Sequence, residues 1–182
     1  DNGNALGAFV ARYPSALGNS LTISIVDSAS TFATWNVNGV SVYSLFNGAP
    51  GTSTQASQAG AANDEVHIAI VDTGGLFTGV KNTVLETFSY LSKATDSTDS
   101  LGNSNYYKDV IFRNSKYVYA IDPVSYNTTV DTWGKPLNNT SYVTLNSAQT
   151  VALSKGADDQ PTTATLENAY GLFRNSEEVD IS

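Results

Sequence analysis

Apolar and polar positions alternate along several short stretches, and these set out the elements. Leu21 to Val26, L-T-I-S-I-V, places apolar residues against hydroxyls and predicts a half-buried strand, with Pro14, Gly18 and Asn19 forming the turn before it. Val40 to Phe46 predicts a weaker strand ended by N-G-A-P-G, and T-S-T-Q-A-S-Q-A-G-A-A a short, marginal helix. Val66 to Asp72 predicts a clearer strand, from which T-G-G leads into Leu76 to Val80. Val84 to Leu91 predicts the longest strand, with Val84, Glu86, Phe88 and Tyr90 on one face and Leu85, Thr87, Ser89 and Leu91 on the other.

A polar run, S-K-A-T-D-S-T-D-S-L-G-N-S-N, follows that strand. Apolar spacing then returns as a helix over Tyr106 to Arg113, with Tyr107, Val110 and Ile111 as its stripe and Asn105 as its cap. Tyr117 to Ile121 predicts another strand, stopped by Asp122-Pro123, and Val124 to Asn139 a loop. Tyr142 to Leu145 and Thr150 to Leu153 alternate weakly. A last helix runs from Thr163 to Phe173, with Leu166, Ala169, Tyr170 and Phe173 on one face. Strands mixed with a few short helices, without regular strand–helix alternation, predict an α+β or mixed α/β fold whose antiparallel or mixed sheet is flanked by helices. The composition changes near S-K-G-A-D-D, Ser154 to Asp159, which marks a domain boundary.

Composition narrows the function classes. The 182 residues are 41% hydrophobic and 14% charged, enough apolar material for a packed core. A net charge of -8 disfavours nucleic acid and anionic membranes as partners. Before Asp64 the only charged residues are Asp1, Arg12 and Asp27, so that part is expected to be covered or to carry a hydroxyl-rich surface. The chain has no cysteine and no methionine, and it ends in E-E-V-D-I-S as a strand begins; an internal piece of a longer polypeptide is expected. No apolar run reaches the ~18 residues of a membrane span.

The candidate chemistry is sparse. His67, the one histidine, sits inside V-H-I-A-I-V, and no G-x-S-x-G elbow accompanies it, so a structural role is expected. One histidine without cysteine cannot assemble a usual zinc set. Asp96, Asp99, Asn103 and Asn105 supply oxygen atoms, but D-S-T-D-S-L-G-N-S-N lacks the register and the closing Glu of a calcium loop. Paired acids at Asp64-Glu65, Asp158-Asp159 and Glu177-Glu178 are sequence neighbours, which rarely face one site, and a glycosidase pair has no positive support. Phosphate-binding glycine patterns are absent. Asn127, Asn138 and Asn139 lie in N-x-[ST] sequons, and with ten Tyr and two Trp they leave a secreted carbohydrate-binding or adhesion domain as an alternative. No catalytic, cofactor-binding or metal-ligating residue is assigned, no cofactor is expected, and the chain reads as a non-enzyme.

Several segments, in order, resemble the contractile tail sheath protein of myovirus bacteriophages. They are G-A-F-V-A-R-Y-P-S-A-L-G-N-S-L-T-I-S-I-V; V-H-I-A-I-V-D-T-G-G with V-L-E-T-F-S-Y-L-S; N-Y-Y-K-D-V-I-F-R-N-S-K-Y-V-Y-A; and T-V-A-L-S-K-G-A-D-D with L-E-N-A-Y-G-L-F-R-N-S-E-E-V-D-I-S. Together they cover most of Gly7 to Ser182, whereas Thr31 to Ala61 and Val124 to Tyr142 have no counterpart. The resemblance implies a middle α/β sheath domain over 1–152 and the start of the conserved inner domain, a second α/β domain, over 153–182. It also implies self-assembly into hexameric rings stacked as a helical sheath, and contacts with the tail tube, baseplate and tail terminator proteins. The chain would then reside in the virion, assembled in the bacterial cytoplasm, and contraction would drive the tube through the host envelope. A pyocin-like contractile injection machine is the alternative carrier. On this reading the polar run joins a strand to a helix packed back on the sheet, Asp96 and Asp99 are solvated, and Asn105 caps the helix.

Overall fold

The computed structural model describes residues 9–121, 132–158 and 162–171. Its centre is a four-stranded antiparallel sheet of β2 (Leu21–Val26), β5 (Glu65–Asp72), β6 (Thr83–Ser92) and β8 (Gln149–Ala152), in the order β6-β5-β2-β8. A ribbon of β1 (Phe9–Ala11) and β7 (Val118–Ala120) and the helix α3 (Tyr107–Asn114) lie over one face. Over the other lies a small hairpin, β3 (Asn36–Val37) and β4 (Val40–Ser41), preceded by the one-turn helix α1 (Ala29–Phe32). The helices α2 (Thr54–Gln58) and α4 (Thr163–Gly171) complete a mixed α+β fold.

The two faces follow from period-two alternation. Leu21, Ile23 and Ile25 of β2 and Val66, Ile68 and Ile70 of β5 join Phe9, Val118, Tyr107 and Ile111 in one core. Val26, Ala69 and Val71 point the other way, to Trp35, Val37 and Val42. Both faces are covered, so all six residues of β2 are buried rather than half of them. The hydroxyls between the isoleucines therefore need partners: Trp35 Nε1 donates to Ser24 Oγ at 2.8 Å, Ser24 Oγ bonds Thr150 Oγ1 at 2.6 Å, and Thr22 Oγ1 bonds Thr73 Oγ1 at 2.8 Å.

The weaker strand expected over Val40 to Phe46 stops after two residues and becomes a 3-10 turn, Val42–Leu45. The cause is Asn38-Gly39, whose φ values of 50° and 86° make a tight turn that pairs Val40 back onto Val37. Helix α2 does form, with the Ser53 side chain accepting from Ala56 N at 3.1 Å. Tyr142 to Leu145 is not a strand; the nearest pairing is one bridge between Ser141 and Ala62.

The two-face assignment of β6 is altered by irregular register. Val66 opposes Leu91 while Ile68 opposes Phe88, so Ser89 and Tyr90 together face His67; a second extra residue, Leu85, lies between Glu86 and Val84. These bulges put Leu85, Phe88 and Leu91 against the same core and leave Val84 on the opposite face.

Asn105 does not cap α3. Its Nδ2 donates to Tyr90 O at 2.9 Å, and the cap position is taken by Tyr106, whose side chain does not cap the helix. The chain continues past β8 along the sheet: Leu153 N donates to Leu21 O at 2.8 Å, Gly156 N to Asn19 Oδ1 at 2.8 Å, and Asp158 accepts from Ala16 N at 3.0 Å. A Cβ at Gly156 would sit 2.2 Å from Ser15 O, so this approach requires glycine. Every described residue of α4, including Leu166, Ala169 and Tyr170, is exposed; Phe173 and the final E-E-V-D-I-S lie outside the described residues.

Candidate functional site

The groups with chemical potential gather where loops leave the ends of β2, β5 and β6. Asp27 ends β2, Asp64 precedes β5 and Lys93 follows β6, and none of the three is measurably exposed. Lys93 Nζ donates to Asp27 Oδ2 at 2.8 Å, to Asn63 O at 2.8 Å and to Val143 O at 3.3 Å, and lies 4.8 Å from the centre of the Trp133 ring. All three ammonium protons thus have an acceptor. Burial depresses the Lys93 pKa, and the charges of Asp27 and Asp64 oppose that shift. Asp27 accepts from Leu145 N at 3.0 Å.

Asp64 accepts from Ser53 N at 2.8 Å, from Ser53 Oγ at 2.9 Å and from Ser92 Oγ at 3.0 Å. Lys93 N donates to the main-chain oxygen of Asp64 at 2.8 Å. The serines here resemble activated nucleophiles only in composition. Their hydroxyl protons point at a carboxylate and their oxygens accept from Ala56 N and Ala94 N, the pattern of caps and turns. The cluster ties five chain segments together inside the protein, and its chemistry is that of a structural anchor.

His67 has an equally defined role. The bulge at Ser89-Tyr90 holds Tyr90 at φ 53° and removes its amide from the ladder; that N–H donates to His67 Nδ1 at 2.9 Å. Nε2 must then carry the proton, which it donates to Gly48 O at 2.9 Å. The ring stacks on Phe46 at 4.6 Å and meets Tyr90 edge-on at 4.5 Å. Burial lowers the His67 pKa.

Asp72, at the far end of β5, organises the T-G-G turn. Burial works against its charge. The Ser20 hydroxyl and the Thr78 and Phe77 groups outweigh it, and the pKa falls. Glu65 goes the other way, raised chiefly by burial despite the bond from Gly51 N.

These directions predict a graded acid response. His67 charges more readily in the unfolded chain, so stability falls as the pH drops below the ordinary imidazole value of 6.5. Asp72 is easier to protonate when unfolded, so a further loss follows below 3.8, whereas protonation of Glu65 favours the folded state at higher pH, as the pH falls towards 4.5. Urea midpoints at pH 7.5 and 5.5 check the first step. It should vanish in His67→Gln, and an unchanged drop in that variant would assign it elsewhere.

Within the polar run Ser92, Lys93, Ala94 and Ser97 are buried, whereas Thr98 to Asn103 are exposed yet held by local hydrogen bonds. Asp99 Oδ1 accepts from Leu101 N and Asn103 N, both at 2.9 Å, and the Asn103 bonds lead in lowering its pKa. Asp96 Oδ1 accepts from Leu137 N at 2.9 Å. Of the four oxygen-bearing candidates only Asp99 and Asn103 meet, Asn103 Nδ2 donating to Asp99 Oδ2 at 3.2 Å; Asp96 serves Leu137 N and Asn105 serves Tyr90 O. Among the described residues no group of three or more His, Cys, Asp or Glu is placed to hold a metal ion. Asn138 and Asn139 lie in an exposed turn; Asn127, Asp159, Glu177 and Glu178 fall outside the described residues. An open cleft of about 220 Å³ lies between β1, Tyr13–Asn19 and Leu153–Gly156, and the polar side chains lining it are Tyr13, Ser15, Asn19, Ser154 and Lys155, without a carboxylate or imidazole.

Sequence reasoning missed Lys93–Asp27 and Asp72. The available signal was position: each is a charged residue at the end of an apolar strand, where a carboxylate or ammonium is either solvated or held by a neighbouring loop. The chain matches no protein-family model, and no curated protein matches it.

Proposed function

We propose that this chain is part of a structural subunit of a bacteriophage contractile tail sheath, which stacks as hexameric rings around the tail tube and carries no catalytic function. The observation that carries the reading is the ordered resemblance described above. Its segments supply β1, β2, β5, β6, α3, β7 and β8, the framework of the larger core, while the unmatched Thr31–Ala61 supplies the hairpin and α2 on the other side. The described ionisable groups add support: Asp27, Asp64, Asp72, His67 and Lys93 all serve to hold loops onto the sheet.

In this role the domain transmits force as a rigid body while its surfaces exchange neighbours during contraction. Its partners are further copies of the subunit, the tail tube, and the baseplate and terminator proteins at the two ends. An antibody raised against the chain should decorate the striated tails of the source particle in electron micrographs, and the chain should be found in purified tails. Its absence from that fraction sinks the proposal. Labelling of tails without capsids would move it to a phage-derived injection machine.

A further inference from the structure

The face formed by β1, β7 and α3 is apolar and cationic, in a chain of net charge -8. Phe112 is 63% exposed, Ile121 48% and Val10 41%. They are contiguous. Val10 is opposite Tyr119 in the ribbon, the Phe112 and Tyr119 rings lie 5.8 Å apart, and Lys108 Nζ donates to Ile121 O. Arg12 stacks over Tyr119 at 3.8 Å and donates to Phe112 O at 2.6 Å. Arg12 and Lys108 each donate to carbonyl oxygens and form no ion pair among the described residues, and the one acid of α3, Asp109, accepts from Ser104 Oγ at 2.7 Å, so the described patch keeps a net positive charge.

A second surface has the complementary character. Leu101 is 84% exposed, the most exposed of the large apolar side chains described, at the tip of the loop that carries Asp96 and Asp99. The tip is pre-organised by the Asp99 bonds to Leu101 N and Asn103 N and by the bridge between Thr98 and Ser104. A rigid apolar knob beside acids loses little conformational entropy on docking.

We propose that the Leu101 loop of one copy docks on the Phe112–Tyr119 patch of a second copy, with Arg12 and Lys108 facing the loop's carboxylates. The two surfaces differ, so the contact is heterologous and propagates into rings or filaments instead of closing as a dimer. This rests on the sheath reading and names a surface through which its subunits meet.

The test is complementation between variants of the 182-residue chain, read by sedimentation velocity with circular dichroism as the folding check. The unmodified chain should form concentration-dependent oligomers that weaken as salt rises. Leu101→Glu and Phe112→Glu, both at exposed positions, should each be monomeric. An equimolar mixture should give a dimer that grows no further, because one partner keeps the knob and the other the patch. A chain that stays monomeric, variants that associate like the unmodified chain, or a mixture that stays monomeric would each overturn the contact. A contact that holds while the chain is missing from purified tails would leave this inference standing and remove the sheath reading. Tail labelling without complementation would do the reverse.

Discussion

Replacing Lys93 by alanine should lower the unfolding free energy by about 3–5 kcal/mol, the usual cost of removing one member of a buried ion pair. The large value comes from what remains. Asp27 is buried and would lose its charge partner, leaving Leu145 N as its donor among the described residues. The carbonyls of Asn63 and Val143 would also lose their donor. Urea unfolding at pH 7 measures the loss directly. Lys93→Met combined with Asp27→Leu should recover a substantial part of it, because an apolar pair of similar volume carries no desolvation cost. If the single change costs less than ~1 kcal/mol, the ammonium is not the anchor described here. The domain's total stability is of order 5–15 kcal/mol, so the single variant should approach the limit of folding at physiological temperature.

Trp35→Ala should cost a similar ~3–5 kcal/mol by opening a cavity beneath the β3–β4 hairpin. Trp35 is fully buried, packs with Phe46 at 5.1 Å, and satisfies Ser24 in the middle of β2. Trp35→Phe separates the two contributions. It keeps most of the packing and removes the indole N–H, so it should cost about 1 kcal/mol, the net worth of a hydrogen bond, plus a smaller packing loss. Thermal unfolding of both variants checks the ranking; equal losses would show that the hydrogen bond, not the ring volume, holds the hairpin.

Much of the sheet was legible along the chain. L-T-I-S-I-V and V-H-I-A-I-V-D carry β-branched residues at period two, and both form strands where expected. What misled was the meaning of the hydroxyls between the isoleucines. Alternation with Ser and Thr signals a wet face, yet here Trp35 and Thr150 cover it with matched partners. The faces of β6 were misassigned for a related reason. A bulge is a property of two paired strands, and nothing in V-L-E-T-F-S-Y-L-S alone shows that two of its residues oppose one of β5.

The polar run after β6 illustrates the same division. Its Ser, Asp, Asn and Gly content, together with the apolar stripe after it, is enough to specify a strand, a connecting loop and a helix. Local sequence decides such features because turn preference and side-chain period act over a few residues. That Lys93 turns inward to Asp27, and that His67 closes a bulge, depends on residues 66 and 23 positions away in the chain. Burial makes those contacts obligatory, since an ammonium or an amide removed from water must find a partner, and only the tertiary arrangement determines which partner is within reach.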